Sequence, residues 1–356
     1  MNSERVSVII PLFKGGKHVK SAISSVLNQT YKDFNIIIVD NNASAESKNY
    51  AIHFERQFPQ KIKLIHEKEQ GVSFARNKGI LESKGELIAL LDDDDIMYPH
   101  RLQLQVEMFD RYPDSSIISC WDDLISYEGK IINRSHIPSE IFWVKILLGE
   151  TEYYKKSPFV FHLPSTMLFP REKAISCGLF DVRFSPSYMT EDVDFEFRMY
   201  KLGHFRIVPM SCMAYRFTEG EFERQKWNGE EIRAFTQWAG SNIVFSNMQE
   251  YLDLPPHIYL RKLRKIQSQW LREFGCFLMQ FPEMRESAKH LLKRAFRSGP
   301  FDYKAWKSYL RSFYPASLYG KAFHFEVERE FPKSFAFPEG FENTYFSISP
   351  SFFHEK

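Results

Sequence analysis

Short, mostly apolar segments alternate with amphipathic segments through the first third of the chain. Apolar segments of about five residues are typical of strands that are covered on both faces. They are Val6–Ile10, Asn35–Val39, Ile62–His66, Leu87–Leu91 and Ser116–Cys120. Apolar positions at helical spacing predict helices over roughly His18–Asn28, Ser47–Phe58 and His100–Tyr112, with a further helix between Gly71 and Lys84.

This alternation, with short connections, predicts an α/β fold with a doubly wound, mainly parallel sheet. In such sheets, ligands bind in the crevice outside the carboxyl ends of the strands. Polar residues that directly follow a strand are therefore the first candidates for a functional site.

Four consecutive aspartates, Asp92 to Asp95, directly follow the strand Leu87–Leu91. Adjacent carboxylates repel one another unless a positive group neutralises them. Mg²⁺ or Mn²⁺ would suit this position, because both prefer oxygen ligands and share their coordination shell with substrate phosphates. The alternative is that Asp94 or Asp95 caps the helix that begins near Pro99, although capping needs only one carboxylate.

Asp40 ends another apolar strand and is followed by Asn41 and Asn42. We expect it to lie at the same edge of the sheet as the aspartate cluster. A carboxylate there can accept hydrogen bonds from a nucleobase N–H or a ribose hydroxyl. An Asx turn built by Asp-Asn-Asn is the alternative interpretation.

Charge and composition exclude several classes of protein. With 47 Lys and Arg against 45 Asp and Glu, no overall field selects nucleic acid as a partner. The four cysteines are far apart and form neither a paired metal motif nor a disulfide pattern. Pro11 interrupts the first apolar segment too early for a signal peptide, and no run of about 18 apolar residues predicts a spanning helix. We therefore expect a cytoplasmic protein, either free or bound peripherally to the inner face of the membrane.

The sequence pattern changes after about residue 228. Helical segments, broken by Pro and Gly, cover roughly residues 229–251, 257–280, 283–297 and 303–313. We therefore divide the chain into a domain of residues 1–228, a helical extension of residues 229–322 and a Phe- and Pro-rich tail of residues 323–356. The helix over 257–280 is basic and amphipathic, which indicates either peripheral contact with an anionic membrane or an ordinary solvated face.

Glycine loops that bind phosphate are absent from the sequence. Gly15 and Gly16 do not form G-x-G-x-x-G, and no G-x-x-x-x-G-K-[ST] occurs. A nucleotide site without such a loop must neutralise phosphate in another way. A metal ion held by aspartates does this.

Six motifs, in order, resemble those of the family 2 glycosyltransferases of the GT-A fold. They are VSVIIPLF, IIIVDNNAS, GVSFARNKGI, GELIALLDDDD, CGLFD and TEDVDFEFRMYKLG, and they extend over roughly Val6 to Thr218. The resemblance implies transfer of a sugar from a nucleotide diphosphate to an acceptor hydroxyl, with inversion of the anomeric centre and UDP as the expected nucleotide. It places the nucleotide-sugar half at about residues 1–120 and the acceptor half at about residues 121–228.

The resemblance also implies which residues bind the donor. Those expected to contact the nucleotide sugar are Pro11, Phe13, Asp40, Arg76, Asp92 and Asp93. Asp92 and Asp94 match the family's D-x-D pattern, so that Asp94, together with Asp92, is expected to bind Mn²⁺ or Mg²⁺. Such a cation stabilises the charge that develops on a departing diphosphate.

Asp192, preceded by Glu191, matches the catalytic base of the family. An inverting transfer needs a carboxylate opposite the leaving phosphate, where it takes the proton of the attacking hydroxyl. Both acids precede a predicted helix, so that a capping box or an interaction with the helix dipole is the alternative interpretation.

The chain departs from the family pattern at two places. Lys14 stands where Asn commonly follows Phe13, and the segment Ala214–Thr218 lacks the His that many members carry after a Tyr-Arg pair. We therefore expect metal binding to depend on Asp94, phosphates and water, with Arg216 countering the charge of the diphosphate.

The sequence leaves the substrates open. Trp121–Glu152 is where sugar specificity is expected, and Trp143 there could stack on a sugar or pack in the core. Leu163–Met167 resembles the family's strand that carries hydroxyl residues on the sugar and acceptor sides, so that Ser165 and Thr166 could contact sugar hydroxyls. The notion that they are ordinary strand or turn residues is the preferred alternative. We expect a hexosyl- or N-acetylhexosaminyltransferase that acts on a saccharide or lipid-linked acceptor in synthesis of cell-envelope polysaccharide or glycolipid, with a homodimer left open. A catalytically silent nucleotide-sugar-binding scaffold and a nucleotidyltransferase are the alternatives.

Overall fold

The computed structural model describes residues 4–136, 162–184 and 191–217, then 285–298, 302–314 and scattered positions between 261 and 318. The chain divides into two compact units, Met1–Glu223 and Arg224–Lys356. The domain boundaries placed at residues 228 and 322 stay predictions. The expectations for Trp143, the helix 229–251, most of 257–280 and the tail 323–356 fall outside the described residues.

Nine strands and six helices are described in the first unit. The strands are β1 (Val6–Leu12), β2 (Phe34–Asp40), β3 (Ile62–His66), β4 (Leu87–Leu90), β5 (Ile96–Met97), β6 (Ser115–Ile125), β7 (Ile131–His136), β8 (Leu168–Pro170) and β9 (His204–Arg216). The helices are α1 (His18–Leu27), α2 (Ala45–Gln57), α3 (Val72–Glu82), α4 (Arg101–Arg111), α5 (Arg171–Ser176) and α6 (Glu191–Tyr200). The ends predicted from the sequence agree within about two residues, except that β6 continues to Ile125.

All nine strands belong to one sheet of the described residues, in the order β3-β2-β1-β4-β8-β6-β9-β5, with β7 paired to β6. The strands β3, β2, β1 and β4 are parallel neighbours, and β6 is parallel to β9. The pairs β4–β8, β6–β8, β6–β7 and β5–β9 are antiparallel. The α/β prediction is confirmed, and the parallel arrangement holds for the first half of a sheet that is mixed as a whole.

Helices cover both faces of the parallel half. Val8 and Ile10 of β1 belong to the apolar cluster that includes side chains of α1 and α4. Ile9, between them, belongs to the cluster with side chains of α3 and α6. All residues of β1 are buried as a result. This two-sided burial explains why its sequence is apolar at every position except Ser7 instead of alternating.

The second unit contains two described helices that pack together, α7 (Arg285–Ser298) and α8 (Tyr303–Arg311). The rings of Phe296 and Tyr309 are stacked, with their centroids 5.6 Å apart. Within the described residues, every helix is too short or too polar to cross a membrane.

Candidate active site

The parallel strands bring the predicted donor-binding residues to one edge of the sheet. In the register of β1 and β2, Leu12 pairs with Asp40. The strand β4 lies on the other side of β1 and leads directly towards Asp92. Asp40 and the aspartate cluster therefore leave the sheet at the same edge, as the sequence indicated.

Asp93 holds the loop that follows β1. Its Oδ2 accepts hydrogen bonds from the main-chain N–H groups of Phe13 and Gly15, at 2.8 and 2.9 Å. A methyl group at Gly15 would lie 2.6 Å from the main-chain oxygen of Asp93, so that this close approach requires glycine. Burial raises the pKa of Asp93 to about 6 despite the two hydrogen bonds. We expected Asp93 to contact the nucleotide sugar; its role in holding the loop was not visible in the sequence.

Asp95 joins the aspartate loop to β9. It is fully buried, and its Oδ1 accepts a hydrogen bond from the main-chain N–H of Arg216 at 2.8 Å. Burial, together with the charges of Asp94 and Asp92, raises the pKa of Asp95 well above its usual range. A buried acid of this kind supports the structure of the site and is not accessible to a ligand.

Arg216 also supports the structure of the site. We expected it to counter the charge of a diphosphate, but its guanidinium is buried and donates to main-chain oxygens of Asp94, Ser126 and Tyr127. The pairing of β5 with β9 brings Arg216 under the aspartate loop. Nε and Nη1 therefore satisfy carbonyl groups there, and the expected role of Arg216 in countering diphosphate charge stays a prediction.

The alternative that Asp94 or Asp95 caps α4 is wrong. The short strand β5 intervenes, and His100 occupies the N-cap position without a side-chain hydrogen bond. The buried amide of Gln29 accepts a hydrogen bond from the N–H of Leu102 at 3.0 Å, which satisfies one donor of the first turn.

Arg76 connects the aspartate cluster to the helix that carries the predicted base. Its Nη2 donates to Oδ1 of Asp92 at 3.0 Å, and its Nη1 donates to Oε1 of Glu191 at 2.8 Å. The guanidinium is buried and lies over the ring of Phe180, 5.3 Å from the centroid. Burial opposes its positive charge, but the two carboxylates outweigh burial and hold the pKa of Arg76 above its usual range.

Asp192 lies in the first turn of α6, immediately after Glu191. Its Oδ1 accepts a hydrogen bond from the N–H of Val193 at 2.8 Å. Part of the side chain is exposed, but desolvation by the surrounding protein disfavours its charged form and raises the pKa of Asp192 to about 8. The negative charge of Glu191 also raises this pKa, whereas the positive charge of Arg76 lowers it. A carboxylate with this pKa is a much stronger base than an ordinary aspartate.

Asp40 is buried, and both of its carboxylate oxygens have partners. Oδ1 accepts a hydrogen bond from the N–H of Ala43 at 3.0 Å, as in the Asx turn considered from the sequence. Oδ2 lies 2.6 Å from Nζ of Lys48 and 3.4 Å from Nδ1 of His66. Burial alone would raise the pKa of Asp40, but Lys48 and the N–H of Ala43 hold it below its usual range. A base could therefore reach Oδ2 only by displacing Lys48 or His66.

Pro11 and Phe13 differ in accessibility. Pro11 is buried within β1, whereas Phe13 is exposed just beyond the end of the strand. Nζ of Lys14 lies 4.9 Å from the centroid of the Phe13 ring. Of these residues, Phe13 is the one whose ring can present a face to a planar ligand.

Ser165 anchors Asp92 from the opposite half of the domain. Its Oγ accepts a hydrogen bond from the N–H of Asp92 at 2.9 Å, and it lies in a short 3₁₀ turn, Pro164–Thr166. Thr166 is also buried and donates from Oγ1 to the main-chain oxygen of Leu163. Ser165 and Thr166 thus lie in a turn, and their contact with sugar hydroxyls stays a prediction. Nothing in the sequence identified Asp92 as the partner of Ser165.

The metal site expected from the sequence has two carboxylates, those of Asp92 and Asp94. The described residues contain no group of three or more His, Cys, Asp and Glu side chains that could hold an ion. Mg²⁺ is commonly bound through one or two carboxylates together with substrate phosphates and water. Asp94, which is partly exposed, and Asp92 fit that kind of site, whereas a cage made of protein alone does not exist in this part of the chain.

Together, these features define a class of protein. A parallel half-sheet with aspartates at its carboxyl edge, facing a helix that begins with two acids, is the arrangement of a GT-A glycosyltransferase domain. Residues 7–178 match the family model described as Glycosyl transferase family 2. This region, just under half of the chain, is therefore similar to glycosyl transferase family 2, as the six motifs indicated. The matched region ends before Glu191 and Asp192.

Three of the curated relatives are described as uncharacterized glycosyltransferases. One from Nostoc sp. is 40% identical over 105 residues, which is 30% of this chain and 33% of the relative. One from Rickettsia prowazekii is 27% identical over 210 residues, which is 56% of this chain and 60% of the relative. One from Methanocaldococcus jannaschii is 28% identical over 219 residues, covering 61% and 72% of the two chains. The chain thus spans less than two thirds of the first two relatives.

Solved structures of S. aureus TarS share the fold. TarS 1–349 in complex with UDP-GlcNAc has a TM-score of 0.55 and 16% sequence identity, covering 89% of this chain and 92% of that chain. TarS 1–349 alone has a TM-score of 0.53 and 15% identity, covering 89% and 91%. At this level of identity, the likeness establishes the GT-A fold.

Proposed function

We propose that the protein is an inverting glycosyltransferase that moves a sugar from a UDP-sugar to a hydroxyl group of a saccharide or lipid-linked acceptor. Relatives described as glycosyltransferases support the reaction class. S. aureus TarS, which has the same fold, has been solved with UDP and with UDP-GlcNAc, which supports UDP as the nucleotide and a hexose or N-acetylhexosamine as the sugar. We place the reaction in the synthesis of cell-envelope polysaccharide or glycolipid.

The proposal is carried by the connection between the D-x-D aspartates and the helix turn that bears Asp192. One buried side chain, Arg76, bonds to Asp92 on one side and to Glu191 on the other. A site that transfers sugar by inversion needs these two parts at a fixed distance, the donor phosphates at one and the proton acceptor at the other.

In the proposed reaction, Asp192 accepts the proton of the acceptor hydroxyl. The acceptor oxygen forms a bond to the anomeric carbon while the bond from that carbon to the diphosphate oxygen breaks. The raised pKa of Asp192 favours proton uptake at the moment of attack. The proton thus moves to the carboxylate, and the negative charge moves to the departing diphosphate.

The departing charge is where we propose a role for Mn²⁺ or Mg²⁺. Asp94 and Asp92 would hold the cation together with the diphosphate oxygens, and the bound cation would supply Lewis-acid stabilisation of the leaving group. Phe13 would lie against the base, and Asp40 would accept a hydrogen bond from it in place of Lys48 or His66. Arg76 is buried and donates a hydrogen bond to Asp92.

A thermal-shift panel tests donor binding. UDP, GDP, dTDP, CMP and several UDP-sugars are each added with Mn²⁺ or with chelator, to the wild type and to Asp94→Asn. A ligand at about 100 times its dissociation constant adds about 2.7 kcal/mol to the free energy of unfolding, which is easily measured as a shift. We expect UDP compounds to stabilise the wild type only with metal and to lose most of this effect in Asp94→Asn.

Other outcomes of the panel distinguish the alternatives. Equal shifts in chelator would contradict the metal site at Asp94. Strong UDP-sugar shifts without any turnover would favour the catalytically silent scaffold. Release of pyrophosphate instead of a nucleoside diphosphate would identify a nucleotidyltransferase.

We further propose that α8 brings the protein to an anionic membrane surface, where a lipid-linked acceptor would be found. Its exposed apolar side chains, including those of the turn that follows it, are Tyr303, Trp306, Leu310, Phe313 and Tyr314. Lys304 and Lys307 are also exposed beside them. Residues 285–314 contain Lys or Arg at positions 285, 289, 293, 294, 297, 304, 307 and 311, against acids at 286 and 302 only. Aromatic side chains next to basic ones favour the interface of an anionic bilayer.

A further inference from the structure

The two outer nitrogens of Arg76 bind carboxylates that come from opposite halves of the domain. Asp92 is 16 residues further along the chain and Glu191 is 115 residues further. Because the guanidinium group is planar and rigid, the two hydrogen bonds fix the distance and angle between the partners. Glu191 directly precedes Asp192 in the first turn of α6. Arg76 therefore links the position of Asp192 to that of Asp92.

A ring stack beside Arg76 holds the same two helices. Phe180 is clasped by Asn77 of α3, whose side chain exchanges two hydrogen bonds of 2.8 Å with the main chain of Phe180. The ring of Phe180 stacks on that of Phe195 in α6, with their centroids 4.1 Å apart. The guanidinium of Arg76 lies against the Phe180 ring. Water is thus excluded from one side of the ion pairs, which strengthens them.

Each end of the link has a second anchor. Asp92 is fixed by the bond from its N–H to Oγ of Ser165, and Glu191 is fixed by its place in α6. Arg76 itself lies in the middle of α3, and its Nε is buried without a hydrogen-bond partner. A diphosphate would have to compete with two carboxylates for this buried guanidinium. Direct contact between Arg76 and the nucleotide stays a prediction, and the variants below test it against a positioning role.

We propose that Arg76 is a positioning residue, which acts through Glu191 to hold the base Asp192 at a fixed place relative to the donor site. This inference rests on the proposed function, since it presupposes that Asp192 accepts a proton. It assigns to Arg76 an effect on the chemical step, whereas a nucleotide ligand would affect donor affinity.

Arg76→Lys is the principal test variant. Lysine keeps the positive charge but offers one compact ammonium group, which cannot hold both carboxylates in the same plane. Displacement of a catalytic group by about 1 Å can cost about 100-fold in rate. We expect kcat for UDP release, with the UDP-sugar that gives the largest thermal shift and water as the acceptor, to fall at least about 10-fold. Because Asp92 keeps its bond to Ser165, we expect the Kd of UDP to change less than about threefold.

Arg198→Lys is the matched control. Arg198 is also a buried arginine paired with an acid of α6, since its Nη2 lies 2.6 Å from Oδ2 of Asp194. Its Nη1 donates to the main-chain oxygens of Cys177 and Leu179 and reaches no predicted donor-site residue. This control has the same chemistry and comparable burial, so that it measures the general cost of the substitution. We expect kcat of Arg198→Lys to stay within about threefold of the wild type.

A double-mutant cycle with Glu191→Gln tests whether Arg76 acts through Glu191. If it does, Glu191→Gln also lowers kcat. The kcat of the double variant is then no lower than that of the more impaired single variant, because both substitutions break the same contact between Arg76 and Glu191. Additive losses would overturn the link through Glu191. Thermal unfolding of each variant verifies that it is folded at the assay temperature.

The remaining outcomes separate this inference from the proposed function. If Arg76→Lys keeps kcat and weakens UDP binding, Arg76 is a donor ligand and the positioning role is overturned alone. If Arg198→Lys loses as much kcat as Arg76→Lys, the effect is general and the positioning role is overturned as well. If the wild type binds no nucleotide sugar and releases no UDP, both the proposed function and the positioning role of Arg76 are contradicted.

Discussion

The basicity of Asp192 comes from its surroundings. Desolvation by the surrounding protein and the negative charge of Glu191 disfavour the ionised form of Asp192 and raise its pKa to about 8. The positive charge of Arg76 partly offsets this rise. A raised carboxylate pKa means that the proton is lost only as the pH rises through about 8. The base is therefore active on the alkaline side of this value and blocked by its proton on the acidic side.

We expect the pH dependence of kcat/KM to show this titration. Below about pH 8, kcat/KM should rise about tenfold per pH unit and should then level off, because this parameter reports the free enzyme. The measurement is UDP release at subsaturating UDP-sugar across about pH 5.5 to 9.5, with metal held saturating. A profile that is flat from about pH 6 upwards, or that falls with rising pH, would contradict the role of Asp192.

At the scale of single residues, the sequence could locate acids but not their partners. Asp40, Asp92 and Asp192 were identifiable because each adjoins the end of a strand or the start of a helix. The partners of Arg76 could not be derived, because one of them, Glu191, is 115 residues away and the contact depends on how the two halves fold together. Position along the chain predicts which edge a residue reaches, but contacts across the site require the structure.

At the scale of elements, the packing of α3 on β1 sets where Arg76 lies. Gly79 is one turn after Arg76, and a methyl group there would lie 2.5 Å from Cγ2 of Ile9. We expect Gly79→Ala to lower the free energy of unfolding by about 1 kcal/mol, since overpacking costs about 1–3 kcal/mol and better helix propensity returns up to about 1 kcal/mol. We also expect a loss of kcat, because α3 must shift away from the sheet.

Urea unfolding measures the change in stability at Gly79. Leu81→Ala, an exposed position on the same helix, is the control and should change the free energy of unfolding by less than about 0.5 kcal/mol. A Gly79→Ala variant that is as stable as the wild type would show that α3 tolerates a methyl group against Ile9.

The parallel half of the sheet was predictable because its strands are covered on both faces and therefore read as apolar runs. The second half was not, because its pairing is set by contacts that the pattern does not encode. A short turn, in which Gly129 has a φ of 87°, joins β6 to β7 and makes them antiparallel neighbours. The strand β8 has only three residues, too few for a periodic signal.

At the scale of the whole molecule, the exposed aromatic residues of α8 bear on where the protein acts. We expect the full-length protein to pellet with vesicles of phosphatidylglycerol and phosphatidylcholine, and not with vesicles of phosphatidylcholine alone, because both apolar and basic side chains contribute. Trp306→Ser combined with Phe313→Ser should abolish pelleting. Both side chains are exposed, so that the fold should be unaffected.

Ile132→Ser is the control for the membrane experiment, since Ile132 is an exposed apolar residue of β7 in the other unit. It should pellet like the wild type. Vesicle binding that survives the double substitution would contradict the role of α8. If the double variant instead changes from dimer to monomer in gel filtration while vesicle binding is unchanged, the face joins two copies of the chain and the membrane proposal is wrong.

The central claim is that the protein carries out the transfer with Asp192 as the base. The most direct test is to compare the wild type with Asp192→Asn for UDP release from the UDP-sugar that binds, and for UDP affinity measured in parallel with Mn²⁺ present. We expect both proteins to bind UDP equally, within about threefold, and UDP release by Asp192→Asn to fall at least about 100-fold, because the amide cannot accept the proton. UDP release by Asp192→Asn at the wild-type rate would contradict the account.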